Sequence, residues 1–437
     1  MKKEEKNTPN LRYKRHEPIE DIAKDLLGFD RLVPQFVEIL QVTDPPYVIG
    51  ITGEWGTGKS SFLECVKNKL LEENIEVTDR IELWKFSSRV DLPLIVLEAI
   101  AQHFGIASAD KSKQKMLAIF NKAKDSLLAL ISVFKFSVKQ PDGTEYKVNL
   151  DATEFGKRVG EILKAADKKG KESFSVEFDK LIEHGLKGKT KLVVLLDDLD
   201  RCLPDEAFEL LQTLRIFFDS KRVIFLIAMD ESVIKCAIQS RFGKDSGVNG
   251  QWYLEKLLDR KYRIPFPTPA RLNSFFYKKY VELTGENPPS DLQGPITNWG
   301  FDKIEIYGSK AANNPRRIVR ALERMIELAT LTDDVNRSAI FASWPFFVIR
   351  EIYPDFYELM KKDGGIAINW GSNLETRGII ADRYGNLLTP YLHDQDLIGL
   401  CTVVRRCFAS RANGKLIVEG LLRYIDGELD QKHLIVG

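Results

Sequence analysis

The sequence predicts an α/β fold in which helices cover both faces of a parallel sheet. Three apolar, strand-like segments support this prediction: residues 47–52 (YVIGIT), 191–197 (KLVVLLD) and 222–230 (RVIFLIAMD). Helical patterns of ten or more residues separate these segments along the chain. Strands that alternate with helices of this length are typical of crossover connections, which build parallel sheets.

Two further segments, residues 79–86 (DRIELWKF) and 260–267 (RKYRIPFP), have the composition of strands, and prolines end the second one. The stretch at 87–189, between the first of these segments and the strand-like segment at 191–197, is too long for a simple connection, so it predicts an inserted helical subdomain. Within it, alternating apolar residues at 134–138 and 146–150 flank a Pro-Asp-Gly turn and predict a β-hairpin. We expect a mobile basic arm (1–18), a core in two parts (19–86 and 190–268) around the insertion (87–189), and a helical C-terminal domain (269–437).

The composition is that of a globular protein with a large core. Of the 437 residues, 44% are hydrophobic, and 64 basic residues nearly balance 63 acidic ones. This balance gives no global field that would favour nucleic acid or an anionic membrane. The five cysteines have no C-x-x-C spacing, so we predict neither a disulfide framework nor a zinc site. The charged amino terminus has no signal-peptide pattern and no apolar run approaches the ~20 residues of a membrane span, so we expect a cytoplasmic protein.

A glycine-rich loop follows the first predicted strand. Residues 53–60 (GEWGTGKS) fit the pattern G-x-x-x-x-G-K-[ST], and a helical pattern follows directly. In such a loop, backbone N–H groups surround the phosphates of a nucleotide, which requires glycine where a Cβ would clash or φ is positive. Lys59 would contact the β and γ phosphates and Ser60 would ligate Mg²⁺. The predicted nucleotide-binding residues are Gly53, Glu54, Trp55, Gly56, Thr57, Gly58, Lys59, Ser60 and Ser61.

Polar residues follow the other two central strands. Asp197 and Asp198 end the second, where a P-loop sheet carries its acidic residues, so we expect Asp197 to hold Mg²⁺ through water and Asp198 to activate the attacking water. Asp230 ends the third and is predicted to be a γ-phosphate sensor, the N-cap of the next helix, or both. Arg316 begins a helix in the C-terminal domain; it is a second candidate sensor, and the alternative is a solvated basic face.

Six segments in order resemble the KAP family of P-loop NTPases: GEWGTGKSSFL, LWKF, VVLLDDLDRCLPDEAFELL, FLIAMDESVIKCAI, YLEKLLDRKYRIPFP and NNPRRIVRAL. The resemblance implies a P-loop ATPase with a sheet of the additional-strand class, a helical insertion and, for bacterial members, an association with defence against phages. Many members carry transmembrane helices in the insertion, whereas this chain has only a short apolar run there. The resemblance also makes Arg201 a candidate, which acts on the nucleotide of a neighbouring subunit or pairs with Asp200.

These observations lead to two hypotheses for function. The first is Mg²⁺-dependent ATP hydrolysis that drives a conformational or assembly switch, and the second is a nucleotide-gated scaffold that recruits a partner with little hydrolysis. The expected ligands are ATP and Mg²⁺, and the expected partners are further copies of the chain and an unidentified protein effector. Nucleic acid is a less favoured partner because acidic residues interleave with the basic segments.

Overall fold

A computed structural model describes residues 17–87, 91–106, 114–138, 168–216, 220–242, 249–288, 314–331, 340, 343–384, 387–409 and 413–428. The chain forms two compact units. The first, which we call the sheet unit, comprises Pro18–Asp25 and Phe29–Pro265. The second, the helical unit, comprises Met1–Glu17, Leu26–Gly28 and Phe266–Gly437. The described residues begin at residue 17, so most of the predicted basic arm (1–18) lies outside them.

A six-stranded sheet forms the centre of the sheet unit, and all of its strand pairs are parallel. The strand order is β2-β4-β5-β1-β6, and β3 also pairs with β4. The fifth strand thus lies between the strand before the glycine-rich loop and the strand before the acidic residues. The strands are β1 (Tyr47–Thr52), β2 (Glu76–Val77), β3 (Ile81–Glu82), β4 (Leu192–Asp197), β5 (Val223–Met229) and β6 (Arg260–Arg263).

The central strands explain why the sequence predicts this sheet. Every residue of β4 and β5 is buried, as expected for parallel strands that helices cover on both faces. Their near-continuous Val, Ile and Leu content is the pattern that such burial requires. The prediction of a parallel α/β sheet is confirmed.

Eight α-helices of the sheet unit lie among the described residues. They are α1 (Phe29–Val42), α2 (Lys59–Glu72), α3 (Leu92–His103), α4 (Gln114–Val138), α5 (Lys168–Leu186), α6 (Pro204–Ile216), α7 (Glu231–Phe242) and α8 (Gly250–Leu257). Two short 3₁₀ turns, Leu83–Lys85 and Leu199–Arg201, follow β3 and β4. In this part of the chain no helix has both the length and the apolar character needed to span a bilayer.

The first strand of the hairpin predicted in the insertion is helical in the structure. Residues 134–138, predicted as the first strand of a hairpin, lie at the end of α4, and residues 139–150 lie outside the described residues. Ile119, Ala123, Leu127 and Leu130 are buried at helical spacing in α4, so the apolar stripe of the helix extends up to the predicted strand. A helix that is already formed adds residues at little cost, and this outweighs three alternating apolar residues. Likewise the predicted strand at 79–86 shortens to Ile81–Glu82, and the 3₁₀ turn follows it.

The helical unit contains eight described α-helices around an aromatic core. Phe346, Phe347, Phe356, Tyr357 and Trp370 are among its largest fully buried side chains. The helices are α9 (Pro269–Thr284), α10 (Pro315–Leu331), α11 (Trp344–Ile352), α12 (Pro354–Lys362), α13 (Gly365–Trp370), α14 (Leu374–Tyr384), α15 (Gln395–Phe408) and α16 (Gly414–Ile425).

Candidate nucleotide-binding site

The loop between β1 and α2 has the shape of a phosphate loop. Gly56 and Gly58 both have a φ of 93°, in the left-handed region that side chains with a Cβ rarely adopt. A Cβ on Gly53 would lie only 2.7 Å from Thr57 Oγ1, so a side chain there would displace Thr57. Thr57 Oγ1 in turn donates to the carbonyl of Glu54 at 2.8 Å and fixes the turn. The backbone conformation therefore favours glycine at positions 56 and 58, and the Thr57 side chain favours it at position 53.

Lys59 begins α2 and curls back over the loop. Its Nζ donates to the carbonyls of Gly53, at 2.8 Å, and Glu54, at 3.2 Å. No side chain caps the N-terminus of α2, where Gly58 is the N-cap. A helix N-terminus whose first N–H groups face a loop of this kind favours an anion through its dipole. The loop, the lysine and the helix end together fit a nucleotide phosphate group.

The two serines after Lys59 differ in their surroundings. Ser61 Oγ accepts a hydrogen bond of 3.0 Å from the backbone N–H of Ile19, so this hydroxyl fastens the segment before α1 to α2. The backbone N–H of Ser61 belongs to the first turn of α2, and the first N–H groups of a helix have no partner within the helix. Ser60, the predicted Mg²⁺ ligand, lies one residue earlier in the same turn.

Asp197 ends β4 and is completely buried, with 0% of its surface exposed. Its Oδ1 accepts from the backbone N–H of Asp198 at 2.8 Å, and its Oδ2 accepts from Arg80 Nη1 at 2.7 Å. Arg80 Nε also donates to Glu64 Oε1 on α2 at 2.9 Å. The sequence predicted the metal role of Asp197 but missed Arg80; the available signal was a basic residue near the start of the predicted strand DRIELWKF.

Asp198 is held in an unusual backbone conformation. Its φ of 58° lies in the left-handed region, which is uncommon for a residue other than glycine and is found at functional sites. Burial, together with the neighbouring charge of Asp197, raises the pKa of its carboxyl group to about 6. Arg201 opposes this rise, because its Nε lies 3.1 Å from Asp198 Oδ1. A carboxylate with a pKa near neutrality suits a general base.

One of the two roles predicted for Arg201, a pair with Asp200, is wrong. The ion pair of Arg201 is with Asp198. Asp200 Oδ1 is a buried atom with no hydrogen-bond partner among the described residues. The guanidinium carbon of Arg201 also lies 5.9 Å from the ring centres of both Trp55 and Trp84. Trp55 belongs to the phosphate loop, so this contact joins the loop to the acidic turn.

Asp230 follows β5 and caps α7. Its Oδ1 accepts from the backbone N–H of Ser232, at 3.0 Å, and from the Ser232 hydroxyl, at 2.6 Å. The N-cap interpretation is confirmed, and the sensor role stays a prediction. The backbone N–H of Gly53 donates to the carbonyl of Met229 at 3.3 Å, so the end of β5 adjoins the start of the phosphate loop.

Arg316 belongs to the helical unit. It lies at the start of α10, where its backbone N–H donates to Asn314 Oδ1 at 3.1 Å. Its side chain is only partly exposed. Its role as a γ-phosphate sensor stays a prediction.

Comparison with known proteins identifies the family. The model of the KAP family P-loop domain matches residues 29–329. The chain belongs to the KAP family. The match spans the phosphate loop, the insertion and the acidic strand, and a KAP P-loop domain is a nucleotide-binding domain of the NTPase class. Among curated relatives, the chain is 22% identical over 332 residues to the phage T7 exclusion protein of Escherichia coli K12, covering 71% of the chain and 42% of that protein.

Other similar proteins are more distant or partial. The chain is 32% identical over 178 residues to the human kinase D-interacting substrate of 220 kDa, covering 38% of the chain and 10% of that protein. The chain therefore spans less than half the length of either relative. The structure of the Aeropyrum pernix ORC2 protein in its ADP form covers 91% of this chain, and 92% of that chain is covered, with 15% identity and a TM-score of 0.35.

Ser60 and Asp197 carry oxygen atoms, which are the ligands that Mg²⁺ prefers. Within the described ranges, no group of three or more His, Cys, Asp or Glu side chains forms a metal site by itself. Mg²⁺ is commonly held by one or two protein groups together with the phosphates of a nucleotide. Ser60 and Asp197 are the residues that would hold the ion, and the phosphates would supply further ligands.

Proposed function

We propose that the protein hydrolyses ATP with Mg²⁺ and that hydrolysis drives a conformational or assembly switch. The observation that supports this is the meeting of a phosphate loop and a strained, buried acid at one edge of the sheet. Trp55 of the loop and Asp198 contact the same arginine, Arg201. A nucleotide held by the loop would therefore place its terminal phosphate near a carboxylate with a raised pKa.

Each residue has a defined task in this proposal. Lys59 exchanges its two loop carbonyls for phosphate oxygens and neutralises their charge. Ser60 and Asp197 would hold Mg²⁺, which would supply positive charge against the charge that develops on the phosphates. Asp198 orients the attacking water and accepts its proton. Phosphoryl transfer needs little covalent chemistry from the protein, so positioning and charge carry the rate.

A biological role follows from the relatives by analogy. Similarity to a protein named for the exclusion of phage T7 supports a role in anti-phage defence. A switch in such a role changes its contacts with other protein molecules when its bound nucleotide changes. We therefore also propose that the chain forms homo-oligomers and acts on a protein effector.

The decisive experiment measures steady-state ATP hydrolysis with Mg²⁺ for the wild type and for Asp198→Asn. We expect the variant to bind nucleotide normally and to lose about 10²- to 10⁴-fold in kcat, because a general base contributes on this scale. Asp205→Asn is the matched control, since Asp205 is an exposed acid paired with Arg241 on a surface helix. A substantially active Asp198→Asn protein would show that another group activates the water.

A second function, the nucleotide-gated scaffold, is favoured by one observation. Both acidic residues of the site are already paired with arginines, Asp197 with Arg80 and Asp198 with Arg201. Such a site can bind nucleotide and remain at rest until a partner rearranges these pairs. If the wild type and Asp198→Asn both bind ATP and neither hydrolyses it over a range of protein concentrations, the scaffold is the better description.

A further inference from the structure

The guanidinium group of Arg201 is held by three side chains from three segments. Asp198, at the end of β4, forms the ion pair of 3.1 Å. Trp55 of the phosphate loop and Trp84 of the turn after β3 each place a ring centre 5.9 Å from the guanidinium carbon. An indole ring attracts a cation placed over its face. The ion pair and both ring contacts of Arg201 therefore lie within its own subunit.

The two tryptophans have little reason to be present for packing alone. Trp55 is 49% exposed and Trp84 is 40% exposed, so neither fills the core. The other variable positions of the loop hold small or charged residues, and the backbone of the loop is fixed by its glycines and Thr57. What the two rings share is contact with Arg201.

The position of Arg201 suits a partner of opposite charge. Its ion pair with Asp198 uses Nε, and the described residues provide no further hydrogen bond to this guanidinium group. The remaining N–H donors, on Nη1 and Nη2, match the geometry of phosphate oxygens. The side chain is 36% exposed, so these donors can be reached.

We propose that Trp55 and Trp84 are positioning residues that keep Arg201 in the nucleotide site of its own subunit. There Arg201 neutralises the phosphates that the same subunit binds, and it is not donated to a neighbouring site. This inference rests on the proposed ATPase function, and it goes further by assigning the arginine in cis and naming the two side chains that hold it. An arginine supplied by a neighbour would have to leave both rings and its ion pair.

The first test separates the two assignments by mixing inactive subunits. Lys59→Ala lacks the phosphate-binding lysine but keeps Arg201, whereas Arg201→Ala keeps the phosphate loop. The two variants are co-expressed with different affinity tags, mixed assemblies are purified, and ATP hydrolysis is measured. We expect no activity above the sum of the two separate variants. Recovery of activity well above that sum would mean that Arg201 of one subunit serves the nucleotide of the other, which overturns the proposal.

The second test examines the tryptophans. We expect Arg201→Ala to lower kcat by about 10²-fold or more, as for the loss of one prearranged donor. Trp84→Ala and Trp55→Ala should lower kcat with little change in KM, and Trp84→Phe and Trp55→Phe should retain most of it, because a phenyl ring still faces the cation. Trp252→Ala is the control, since Trp252 is exposed on α8. Equal losses from the Ala and Phe variants, or a change in KM alone, would overturn the positioning role.

A third measurement remains decisive if the wild type does not hydrolyse ATP, in which case the proposed function fails separately. Tryptophan emission is recorded for the wild type and Arg201→Ala, before and after titration with ATP and Mg²⁺. We expect removal of the neighbouring cation to shift the emission and to reduce its response to nucleotide. Identical spectra and identical responses would mean that the two rings do not hold Arg201.

Discussion

Arg80 Nη1 lies 2.7 Å from Asp197 Oδ2, so the buried carboxylate expected to serve Mg²⁺ has a resident countercharge. A carboxylate with 0% exposure is costly to ionise without a partner, and Arg80 provides that partner in the described structure. The same guanidinium pairs with Glu64 on the helix that begins at the phosphate loop. The acidic strand and the loop helix are thus joined through one side chain.

Replacing this arginine should destabilise the sheet unit. Arg80→Met leaves Asp197 buried and unpaired, for which we expect a loss of about 3–5 kcal/mol in the free energy of unfolding. Urea unfolding monitored by circular dichroism measures the loss. The control is Arg215→Met, because Arg215 is 45% exposed and pairs with Asp259 at a similar distance of 2.8 Å. An exposed pair contributes about 0–1 kcal/mol, so equal losses from the two variants would contradict the special role of Arg80.

Asp197→Asn should uncouple the metal from the nucleotide. The amide keeps the shape of the side chain but loses the charge, so the gain in ATP affinity on adding Mg²⁺ should fall by about 10- to 100-fold, as for other groups that act on a metal indirectly. Titration with a fluorescent ATP analogue in Mg²⁺ and in EDTA gives both affinities. We expect the EDTA value to stay near that of the wild type. A comparable loss in EDTA would place Asp197 outside the metal site.

Gly58→Ala should distort the phosphate loop. Its φ of 93° is strained for alanine, by about 1–2 kcal/mol, and the strain falls on the residue before Lys59. Nucleotide binding, measured by calorimetry, should weaken by about 5- to 30-fold, the equivalent of this strain. Gly378→Ala is the contrasting control: it lies inside α14 with no atom within 4 Å of an added Cβ, and should stabilise the helix by about 0.5–1 kcal/mol. Normal binding by Gly58→Ala would mean that the loop adapts.

The helical unit should depend on its aromatic core. Phe356 is fully buried, and its ring centre lies 5.4 Å from that of Trp370 in an edge-on arrangement. Phe356→Ala should cost about 3–5 kcal/mol in the free energy of unfolding. Ile379→Ala on α14 alters a side chain that is largely exposed and should change stability by no more than about 0.5 kcal/mol. Similar effects of the two changes would mean that Phe356 is not part of a continuous core.

The sequence predicts the sheet and the loop well because both depend on local patterns. β4 and β5 are runs of apolar residues, which are typical of parallel strands covered on both faces. Glycines at 56 and 58 indicate positions with a positive φ, which the structure has there. The predicted hairpin failed because three alternating residues cannot be distinguished from the end of a long helix by local pattern. Fold class and phosphate loop are therefore accessible from sequence alone.

The two arginine pairs were not accessible from sequence alone. Arg80 meets Asp197 across 117 positions, and only the pairing of β3 with β4 brings them together. For Arg201 the difficulty is local: the left-handed turn at Asp198 directs this carboxylate, and not that of Asp200, to the arginine three residues later. A motif names the residues of such a site, but the partner of each charge depends on backbone geometry.

The hydrogen bonds of Lys59 have a consequence for the timing of nucleotide capture. The amine is bound to two carbonyls of its own loop, and an arriving phosphate must take their place. A hydrogen bond to a charged group contributes about 1.5–3 kcal/mol, so releasing even one before the phosphate engages slows capture by roughly 10- to 100-fold. Small inorganic anions, which cannot bridge the whole loop, recover less of this cost than a triphosphate does. We therefore expect the resting lysine to favour a triphosphate over a small inorganic anion.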